Sequence, residues 1–531
     1  MPERIVATGT FVRKVARRLD LRDVRDEVVM SETPSAPSGN PAGELVFSTA
    51  ANKAHLSRMR RAGKAVRLTT GVYVVGASLP VETVVREHLW NVIAHFWPDA
   101  VVCDRTAFDG GRTDWIFICH PDPPRVRDLL MPGVTVKCRI GPGPLPGDSR
   151  WMDVLYLSST ARALLENAEE VGRPAENRPS RAAGLKAVGD QIDALASSGD
   201  HSRLKTVFHV FDQIQGYFNQ ATVTRVRALL AAASGTYSGG EIASERLAAR
   251  VSGTPYDAAR VELFRKAVAE LESLAPIVRP DNAGPESRQW LPFFEAYFSN
   301  YIEGTRFSVE EAFDIAINNE VPAARPKDAH DVSATFRIVS DHALMQVVPR
   351  DGDDLVEILK DRHRVLMAAR PEKRPGQFKD LPNYAGATSF VAPLQTEGTL
   401  RAGWELLNGL VDPFHRAVMM MFLVSECHPF DDGNGRVARI LTNAELVARG
   451  QHRIVIATSY RNNYLAALTG ATAGNGVTPL VSVLDFTRKW VAVVDWSDWD
   501  RCRADLGSSN AFEDPGVAEH SGKVLRLPSG P

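Results

Sequence analysis

The chain has 531 residues, a formal net charge of −2, 44% hydrophobic residues and 24% charged residues. This balance is typical of a globular protein with several domains and argues against a globally basic nucleic-acid binder. No apolar run reaches the roughly 18 residues of a membrane span, so no membrane partner is expected. The five cysteines form no disulfide or zinc pattern, and the first residues lack a charged region followed by an apolar core. We therefore expect a protein of the reducing cytoplasm.

A basic segment lies near the start of the chain. Between positions 51 and 70 there are no acids and six cations: Lys53, Arg58, Arg60, Arg61, Lys64 and Arg67. His55 to Arg61 predicts a short helix that ends at Gly63, and the apolar stretches on either side of Thr70 and Gly71 predict a hairpin. This is the outline of a winged helix, and it resembles the N-terminal part of AbiEi-like type IV antitoxins and related regulators. Such a module could bind DNA phosphates, although a solvated basic face explains the same residues.

Composition divides the chain into four parts. Residues 1–170 are expected to form a mixed α/β regulatory module, and residues 171–240 a linker and helical connection. Residues 241–498 predict an all-α domain, so the fold class is mainly α. The polar tail from 499 to 531 is rich in Gly, Ser and Pro and is expected to be disordered.

An aromatic helix is predicted near residues 290–304. Ser299 and Glu303 lie four residues apart, on one face of this helix. Gly304 suits the position just after a helix end. On its own, the segment is an ordinary amphipathic helix with a normal stop.

Residues 375–393 carry turn signals around short apolar stretches, which predicts a β-hairpin. Further along, Asp412 and Pro413 predict a helix start, and the unbroken apolar run that follows predicts a helix buried on all sides. Helical spacing resumes after position 436. The segment between these two helices is therefore a loop, and its end opens the second helix.

The end of this loop is suited to binding phosphate. A helix N-terminus presents free N–H groups and partial positive charge. Gly433 and Gly435 allow close approach of an anion and positive φ, and Asn434 can add an amide donor. Arg436 and Arg439 lie three residues apart and could hold β- and γ-phosphates.

The same loop also contains a candidate base and a candidate metal ligand. Asp432 could ligate Mg²⁺, which usually takes one or two carboxylates plus phosphate oxygens. His428 could take a proton from an attacking hydroxyl at neutral pH. Phe430 is expected to anchor the loop in the core.

Residues 428 to 436 read His-Pro-Phe-Asp-Asp-Gly-Asn-Gly-Arg, and this string resembles the signature of the Fic family without a departure. The resemblance implies that His428 is the general base and that Asp432 holds Mg²⁺. It also implies that the phosphates of ATP are bound by four further residues: Gly433, Asn434, Gly435 and Arg436. Most members of this family transfer AMP from ATP to a Tyr, Ser or Thr hydroxyl of a protein.

The resemblance extends to two upstream segments. Ser299, Glu303 and Gly304 match the family's inhibitory motif, which implies that Glu303 pairs with Arg439 in place of the γ-phosphate. The hairpin at 375–393 resembles the family's flap, where a strand of the target protein is added to the hairpin edge.

Three functional hypotheses remain open at this point. The first is an autoinhibited protein adenylyltransferase that uses Mg-ATP. The second is a transcriptional regulator or antitoxin whose Fic domain senses nucleotide. The third is an enzyme that removes AMP with the same site. An oligomer is compatible with any of them.

Overall fold

The computed structural model describes residues 41–123, 128–171, 178–197, 201–236, 239, 242–386 and 388–528. The chain divides into two compact units, Met1–Val251 and Ser252–Pro531. Within the ranges described, no helix is long and apolar enough to cross a membrane.

The first unit combines two sheets with helices. Its strands are β1 (Glu44–Phe47), β2 (Ala65–Thr69), β3 (Val72–Val75), β4 (Val101–Val102), β5 (Trp115–His120), β6 (Asp128–Met131), β7 (Val134–Ile140), β8 (Ser149–Trp151) and β9 (Leu155–Leu157). Its helices are α1 (Lys53–Arg61), α2 (Val81–Phe96), α3 (Asp104–Asp109), α4 (Thr160–Asn167), α5 (Leu185–Ser197), α6 (His201–Ile214), α7 (Gln220–Ala233) and α8 (Glu245–Val251).

The predicted basic helix and hairpin are both present. Helix α1 is followed by the antiparallel pair β2–β3, and β1 adds to the free side of β3. Gly63 and Gly71 have φ of +70° and +80°, conformations that glycine adopts without steric cost. The short local signals, turn glycines and β-branched runs, were sufficient to predict this part.

A six-stranded mixed sheet with order β6-β7-β5-β4-β9-β8 follows. Strand β5 pairs in parallel with β7 and in antiparallel with β4, and its middle residues are buried. A strand with both faces covered has an unbroken apolar sequence, which is what residues 115–119 show. The sheet confirms the expected mixed α/β character for the part of the first 170 residues that the structure describes.

The helical connection expected within residues 171–240 has its own apolar core. Helices α4 to α8 bury side chains such as Phe211, Ile214, Val226 and Leu230 against one another. The Pro, Gly and polar residues that suggested a linker lie partly outside the described residues. The apolar positions at helical spacing were the better indicator.

The second unit is almost entirely helical. Its helices are α9 (Ala258–Ser273), α10 (Leu291–Ile302), α11 (Val309–Ala316), α12 (Pro326–Ser340), α13 (His342–Met345), α14 (Gly352–Leu366), α15 (Thr396–Asn408), α16 (Pro413–Cys427), α17 (Asn434–Val447), α18 (Arg461–Thr472), α19 (Thr478–Val493), α20 (Trp499–Ser508) and α21 (Pro515–Ser521). Two short strands, β10 (Tyr384–Ala385) and β11 (Thr388–Ser389), form an antiparallel hairpin within the segment predicted as one.

Helix α16 is the central element of this unit. Asp412 caps it, since its Oδ1 accepts from the N–H groups of Phe414 and His415 at 3.0 and 2.8 Å. Pro413 occupies the first turn, where a missing N–H costs nothing. Every residue from Phe414 to Cys427 is buried, which confirms the predicted helix start and the predicted burial.

The expected disorder of the tail is wrong for residues 499–528. Helices α20 and α21 form there, and Cys502, Leu506 and Ala511 are fully buried in a core shared with the aromatic side chains of α10. Phe512 stacks on Phe298 with ring centroids 5.6 Å apart. The Gly, Ser and Pro content suggested disorder, but a few apolar residues recur at helical spacing, such as Cys502 and Leu506. Burial of these residues explains why the tail folds.

This correction predicts a difference between two tail residues. Leu506→Ala removes a fully buried side chain and should lower the free energy of unfolding by about 2–5 kcal/mol. Val517→Ala, at a position 52% exposed, serves as the control and should change it by less than about 0.5 kcal/mol. Denaturant titration monitored by tryptophan fluorescence measures both, and equal small effects would contradict a packed tail.

Candidate active site

The signature loop is closed on itself by one amide side chain. The N–H of Phe430 donates to Oδ1 of Asn434 at 2.9 Å, and Nδ2 of Asn434 donates back to the carbonyl of Phe430 at 2.9 Å. Phe430 is fully buried and stacks on His363, with centroids 3.7 Å apart. The predicted anchoring role of Phe430 is confirmed. The side-chain amide of Asn434 thus holds the loop, and the expected role of Asn434 in phosphate binding stays a prediction.

His428 ends helix α16 in the left-handed region, with φ of 45°. Its Nδ1–H donates to the carbonyl of Ser425 at 3.3 Å, and its ring stacks on Phe390 at 3.9 Å. Burial, together with the nearby Lys379 ammonium, lowers the pKa of His428 to about 4. The imidazole is therefore neutral at pH 7. Because Nδ1 carries the hydrogen, Nε2 presents a lone pair.

The glycines around the start of α17 are required by their surroundings. Gly433 has φ of +76° and caps the helix, and a Cβ built on it would lie 2.9 Å from Sδ of Met367. A Cβ on Gly435 would collide with the carboxylate of Glu303 and would lie 3.1 Å from Nη1 of Arg439. At the start of α17 the backbone of Gly433 and Gly435 therefore forms an open surface, which we call the cradle. The Glu303 carboxylate lies against it.

The two arginines of the motif have different partners. Arg439 is 7% exposed, and its Nε and Nη2 donate to Oγ and the carbonyl of Ser299, each at 2.9 Å. Its Nη2 also donates to Oε1 of Glu303 at 2.7 Å, so the ion pair expected from the resemblance is present. Gly304 follows with φ of +91°, as expected for a residue just after a helix end.

Arg436 is buried beside an acid of helix α12. Its Nη1 lies 3.0 Å from Oδ2 of Asp331, and its Nη2 contacts Sδ of Met367 at 3.5 Å. Arg436 is 3% exposed and Asp331 is 1% exposed. A buried cation must have a compensating anion, and Asp331 supplies one, which it shares with Arg370. The sequence spacing predicted the position of Arg436 on α17 but not this acid, and the expected role of Arg436 in phosphate binding stays a prediction.

The adjacent aspartates also differ. Both carboxylate oxygens of Asp431 accept hydrogen bonds from the guanidinium of Arg374 at 2.8 Å, so this side chain already has a partner. Asp432 is 43% exposed on its side chain, and its Oδ2 lies 4.0 Å from the ammonium of Lys373. One exposed carboxylate beside a phosphate cradle fits Mg²⁺, which completes its shell with phosphate and water oxygens.

Three residues that sequence reasoning missed hold this site together. His363 on α14 donates from Nε2 to the carbonyl of Asp432 at 3.1 Å and accepts the N–H of Gly376 on Nδ1 at 2.9 Å. Burial lowers the pKa of His363 to about 4. A histidine inside an amphipathic helix gives no sequence signal for such a role.

The other two belong to the hairpin segment. The N–H of Lys379 donates to the carbonyl of Pro429 at 2.8 Å, and Nδ2 of Asn383 donates to the carbonyl of His428 at 3.2 Å. Lys379 is 3% exposed, and burial lowers its pKa to about 8. The base of the hairpin is thus bonded to the signature loop, and Tyr384 in β10 is 66% exposed beyond it.

Comparison with known proteins agrees with the predicted resemblance. Residues 354–446 match the family model described as Fic/DOC family, so the chain contains a Fic domain. Protein adenylyltransferase fic-1 from Caenorhabditis elegans is 25% identical over 240 residues, which cover 44% of this chain and 47% of the relative. Protein adenylyltransferase Fic from Culex quinquefasciatus is 24% identical over 248 residues, covering 44% of this chain and 49% of the relative. The chain thus spans about half the length of the curated relatives it matches.

Among solved structures, the Fic-1 fragment from Caenorhabditis elegans is 17% identical and covers 57% of this chain and 94% of its own, with a TM-score of 0.34. A likeness at this TM-score does not bear on the fold. The match to the family model and the named relatives therefore carry the assignment of the domain.

The environments of His428 and His363 predict their titration. Both imidazoles should stay neutral well below their ordinary pKa of 6.5, with titration near pH 4. Because the unfolded chain then binds more protons than the folded one, the free energy of unfolding should fall as the pH is lowered from about 6.5 towards 4. Imidazole resonances followed by NMR measure this, and titration of His428 near pH 6.5 would contradict the buried, neutral base.

Proposed function

We propose that this protein is a Fic-type adenylyltransferase that moves AMP from Mg-ATP to a Tyr, Ser or Thr hydroxyl of a protein target. The observation that carries the proposal is the neutral His428, whose Nε2 lone pair lies at the end of a loop that also forms a glycine-rich helix N-terminus. The match of residues 354–446 to the Fic/DOC model supports it. So do the relatives, which are named protein adenylyltransferase.

In this reaction Nε2 of His428 accepts the proton of the target hydroxyl. The hydroxyl oxygen forms a bond to the α-phosphorus, and the bond from that phosphorus to the bridging oxygen of the leaving group breaks. Pyrophosphate leaves, and AMP remains on the target. The free N–H groups in the first turn of α17 hold phosphate oxygens, where the helix end is partially positive.

Asp432 would hold Mg²⁺, which supplies positive charge against the phosphates when it is bound. Arg439 provides a fixed cation on the same helix. Arg436, on the same helix, would add a second cation toward the phosphates, and the 3.0 Å contact of its Nη1 with Oδ2 of Asp331 supports its side chain. The hairpin of β10 and β11 would bind the target as an added strand, because main-chain hydrogen bonds require little of the target's sequence.

We further propose that Glu303 inhibits the enzyme. Its carboxylate bonds to Arg439 at 2.7 Å and lies where a Cβ of Gly435 would be. A γ-phosphate at Arg439 would meet this carboxylate, and two anions cannot share one buried cation at low cost. Catalytically useful binding of ATP therefore requires Glu303 to move. An enzyme that removes AMP from a target would use the same side chains. The labelling experiment below distinguishes AMP removal from AMP transfer.

A second candidate function rests on the basic surface of the first unit. All six cations of this surface are exposed: Lys53, Arg58, Arg60, Arg61, Lys64 and Arg67. Arg67 bonds to the carbonyl of Thr69 and the hydroxyl of Thr70, and no ion pair with an acid forms at any of the six within the residues the structure describes. This favours a nucleic-acid backbone as an additional partner and a winged-helix role for the module.

The five cysteines are all free thiols and all buried. Free thiols in a chain of this size favour a reducing compartment, and we propose the cytoplasm as the location of the reaction.

Two substitutions should separate chemistry from nucleotide binding. His428→Ala should lower transfer by about 10²–10⁴-fold, because it removes the base, while leaving ATP affinity nearly unchanged. Asp432→Asn should weaken ATP binding only in the presence of Mg²⁺. Labelling with ATP carrying a labelled α-phosphate measures transfer, and calorimetric titration measures affinity. Full transfer by His428→Ala would refute the mechanism.

Release of Glu303 should activate the enzyme. Glu303→Gly should raise labelling of the protein by at least about tenfold, the equivalent of one charged hydrogen bond of about 1.5–3 kcal/mol. Arg439→Ala should not reach that level, and the double variant should resemble Arg439→Ala. The control is Glu320→Gly, an exposed acid outside the site. A folded Glu303→Gly protein as silent as the wild type would contradict the inhibitory role, and loss of a preformed AMP adduct in wild type would favour the reverse reaction.

The basic surface gives a separate prediction. The full chain should bind duplex DNA with an affinity that falls steeply with salt, and reversing Arg60 and Arg61 to Glu should remove this binding. Reversing Arg150 and Lys186, which lie elsewhere in the first unit, changes the net charge equally and should preserve it. Gel-shift titrations at several salt concentrations measure both. Equal losses in the two variants would attribute binding to net charge alone.

A further inference from the structure

One face of α10 forms a row of polar residues opposite a similar row on α17. Glu295, Ser299 and Glu303 recur every four residues along α10 and its cap, and Arg439 and Asn443 lie four apart on α17. Only the end of this row, at Glu303, belongs to the proposed inhibitory contact. The remainder extends away from the phosphate cradle into the core.

The two rows are joined by hydrogen bonds in one register. Ser299 and Glu303 both bond to Arg439, and Glu295 accepts from Nδ2 of Asn443 at 2.8 Å. A shift of one residue along a helix moves a side chain by about 1.5 Å and rotates it by about 100°. All of these bonds would be lost together. The position of Glu303 is therefore linked to the position of Glu295, two helical turns away.

The inner end of this row is fully paired. Glu295 is 5% exposed, and its second carboxylate oxygen accepts from Nη1 of Arg453 at 2.7 Å. The same Nη1 donates to the carbonyl of Val339 on α12 at 2.8 Å. Asn443 is 1% exposed and exchanges two 2.8 Å bonds with the backbone of Ile454. Breaking such a buried, satisfied group is costly, because each partner left behind remains without a bond.

The outer end of the row is weaker. The side chain of Glu303 is 30% exposed, and the residue caps the helix just before Gly304. Solvent and helix fraying compete with its bond to Arg439. A small cavity of about 10 Å³ separates the two ends and is lined by Glu295, Ser299, Arg439 and Asn443. Polar contacts and aromatic packing therefore act together on the register of α10, and the polar contacts are the ones that reach Arg439.

We propose that Glu295, Asn443 and Arg453 form a register clamp that positions Glu303 against Arg439 and thereby maintains inhibition. The clamp rests on the proposed adenylyltransferase function, and its three members are positioning residues remote from the nucleotide. They act through the register of α10. Any event that loosens the clamp, such as displacement of the 451–456 segment that carries Arg453, would withdraw Glu303 from the cradle.

The test compares substitutions with Glu303 present and absent. Asn443→Ala should raise labelling from α-phosphate-labelled ATP about tenfold in the otherwise wild-type protein. It should add nothing in a Glu303→Gly background, because the two changes act on the same contact. Glu295→Gln, which keeps the shape but removes the charge facing Arg453, should give the same pattern and serves if Asn443→Ala does not fold.

The matched control is Thr335→Val. Its hydroxyl accepts from Nδ2 of Asn300 at 3.0 Å, a buried bond between the same helix α10 and helix α12. Removing it should loosen α10 against α12 and leave the bonds of α10 to α17 in place, so labelling should stay at the wild-type level. Equal activation by Thr335→Val and Asn443→Ala would attribute the effect to general loosening and overturn the clamp.

A second readout does not depend on catalysis. The N–H groups of Glu303 and Gly304 donate to the carbonyls of Asn300 and Tyr301 at 3.1 and 3.0 Å, and hydrogen exchange at these amides should be faster in Asn443→Ala than in Thr335→Val. If Glu303→Gly is silent but this exchange is faster, the inhibitory role of Glu303 fails, and the clamp is overturned as a means of inhibition although it still positions Glu303. Two results would overturn the clamp when Glu303→Gly is active. The first is wild-type labelling and exchange in Asn443→Ala. The second is equal activation by Asn443→Ala in the wild-type and Glu303→Gly backgrounds.

Discussion

The interaction on which the site depends is the one between Arg439 and its anionic partner. A guanidinium that is 7% exposed cannot be left unpaired without a large cost, and here Ser299 and Glu303 satisfy it. If a phosphate takes the place of Glu303, the cation keeps a partner and the surrounding core does not have to reorganise. Inhibition and substrate binding then become two ways to satisfy the same buried charge.

The rest of the site is held in place by contacts that do not involve Glu303, so replacing Glu303 by a phosphate would not require the signature loop to move. The loop between α16 and α17 is closed by Asn434, stacked against His363 and bonded to the hairpin through Lys379 and Asn383. These contacts hold His428 in a left-handed conformation that would be strained on its own. In the proposed reaction, an imidazole held in this way does not have to be ordered at the moment of transfer, which reduces the entropic part of the barrier.

The sequence predicted the elements and the motif better than it predicted their partners. Helix caps such as Asp412 and turn glycines such as Gly63 act within a few residues, so their effect can be read locally. The pair of Glu303 and Arg439 lies 136 residues apart and was expected only because of the family resemblance. The contacts of Arg436 with Asp331 and of the Asn434 side chain with Phe430 were not predicted, since they depend on where Asp331 and Phe430 come to lie after packing.

The same limit explains the errors outside the site. The tail has the composition of a loop, yet a few buried positions, among them Leu506, decide that it folds, and Phe211 does the same for the helices expected within 171–240. The clamp residue Glu295 lies in an aromatic helix whose sequence gives no reason to single it out. Its role depends on Asn443 and Arg453, which reach it from a different helix and from the loop that follows.

The central claim is that Glu303 and the γ-phosphate compete for Arg439. Calorimetric titration of ATP and ADP against the wild type and Glu303→Gly tests it most directly, because the two nucleotides differ in that phosphate alone. Competition predicts that the affinity ratio of ATP to ADP rises by about tenfold when Glu303 is removed, and that Arg439→Ala abolishes the increase. The same ratio in the wild type and in Glu303→Gly would contradict the account.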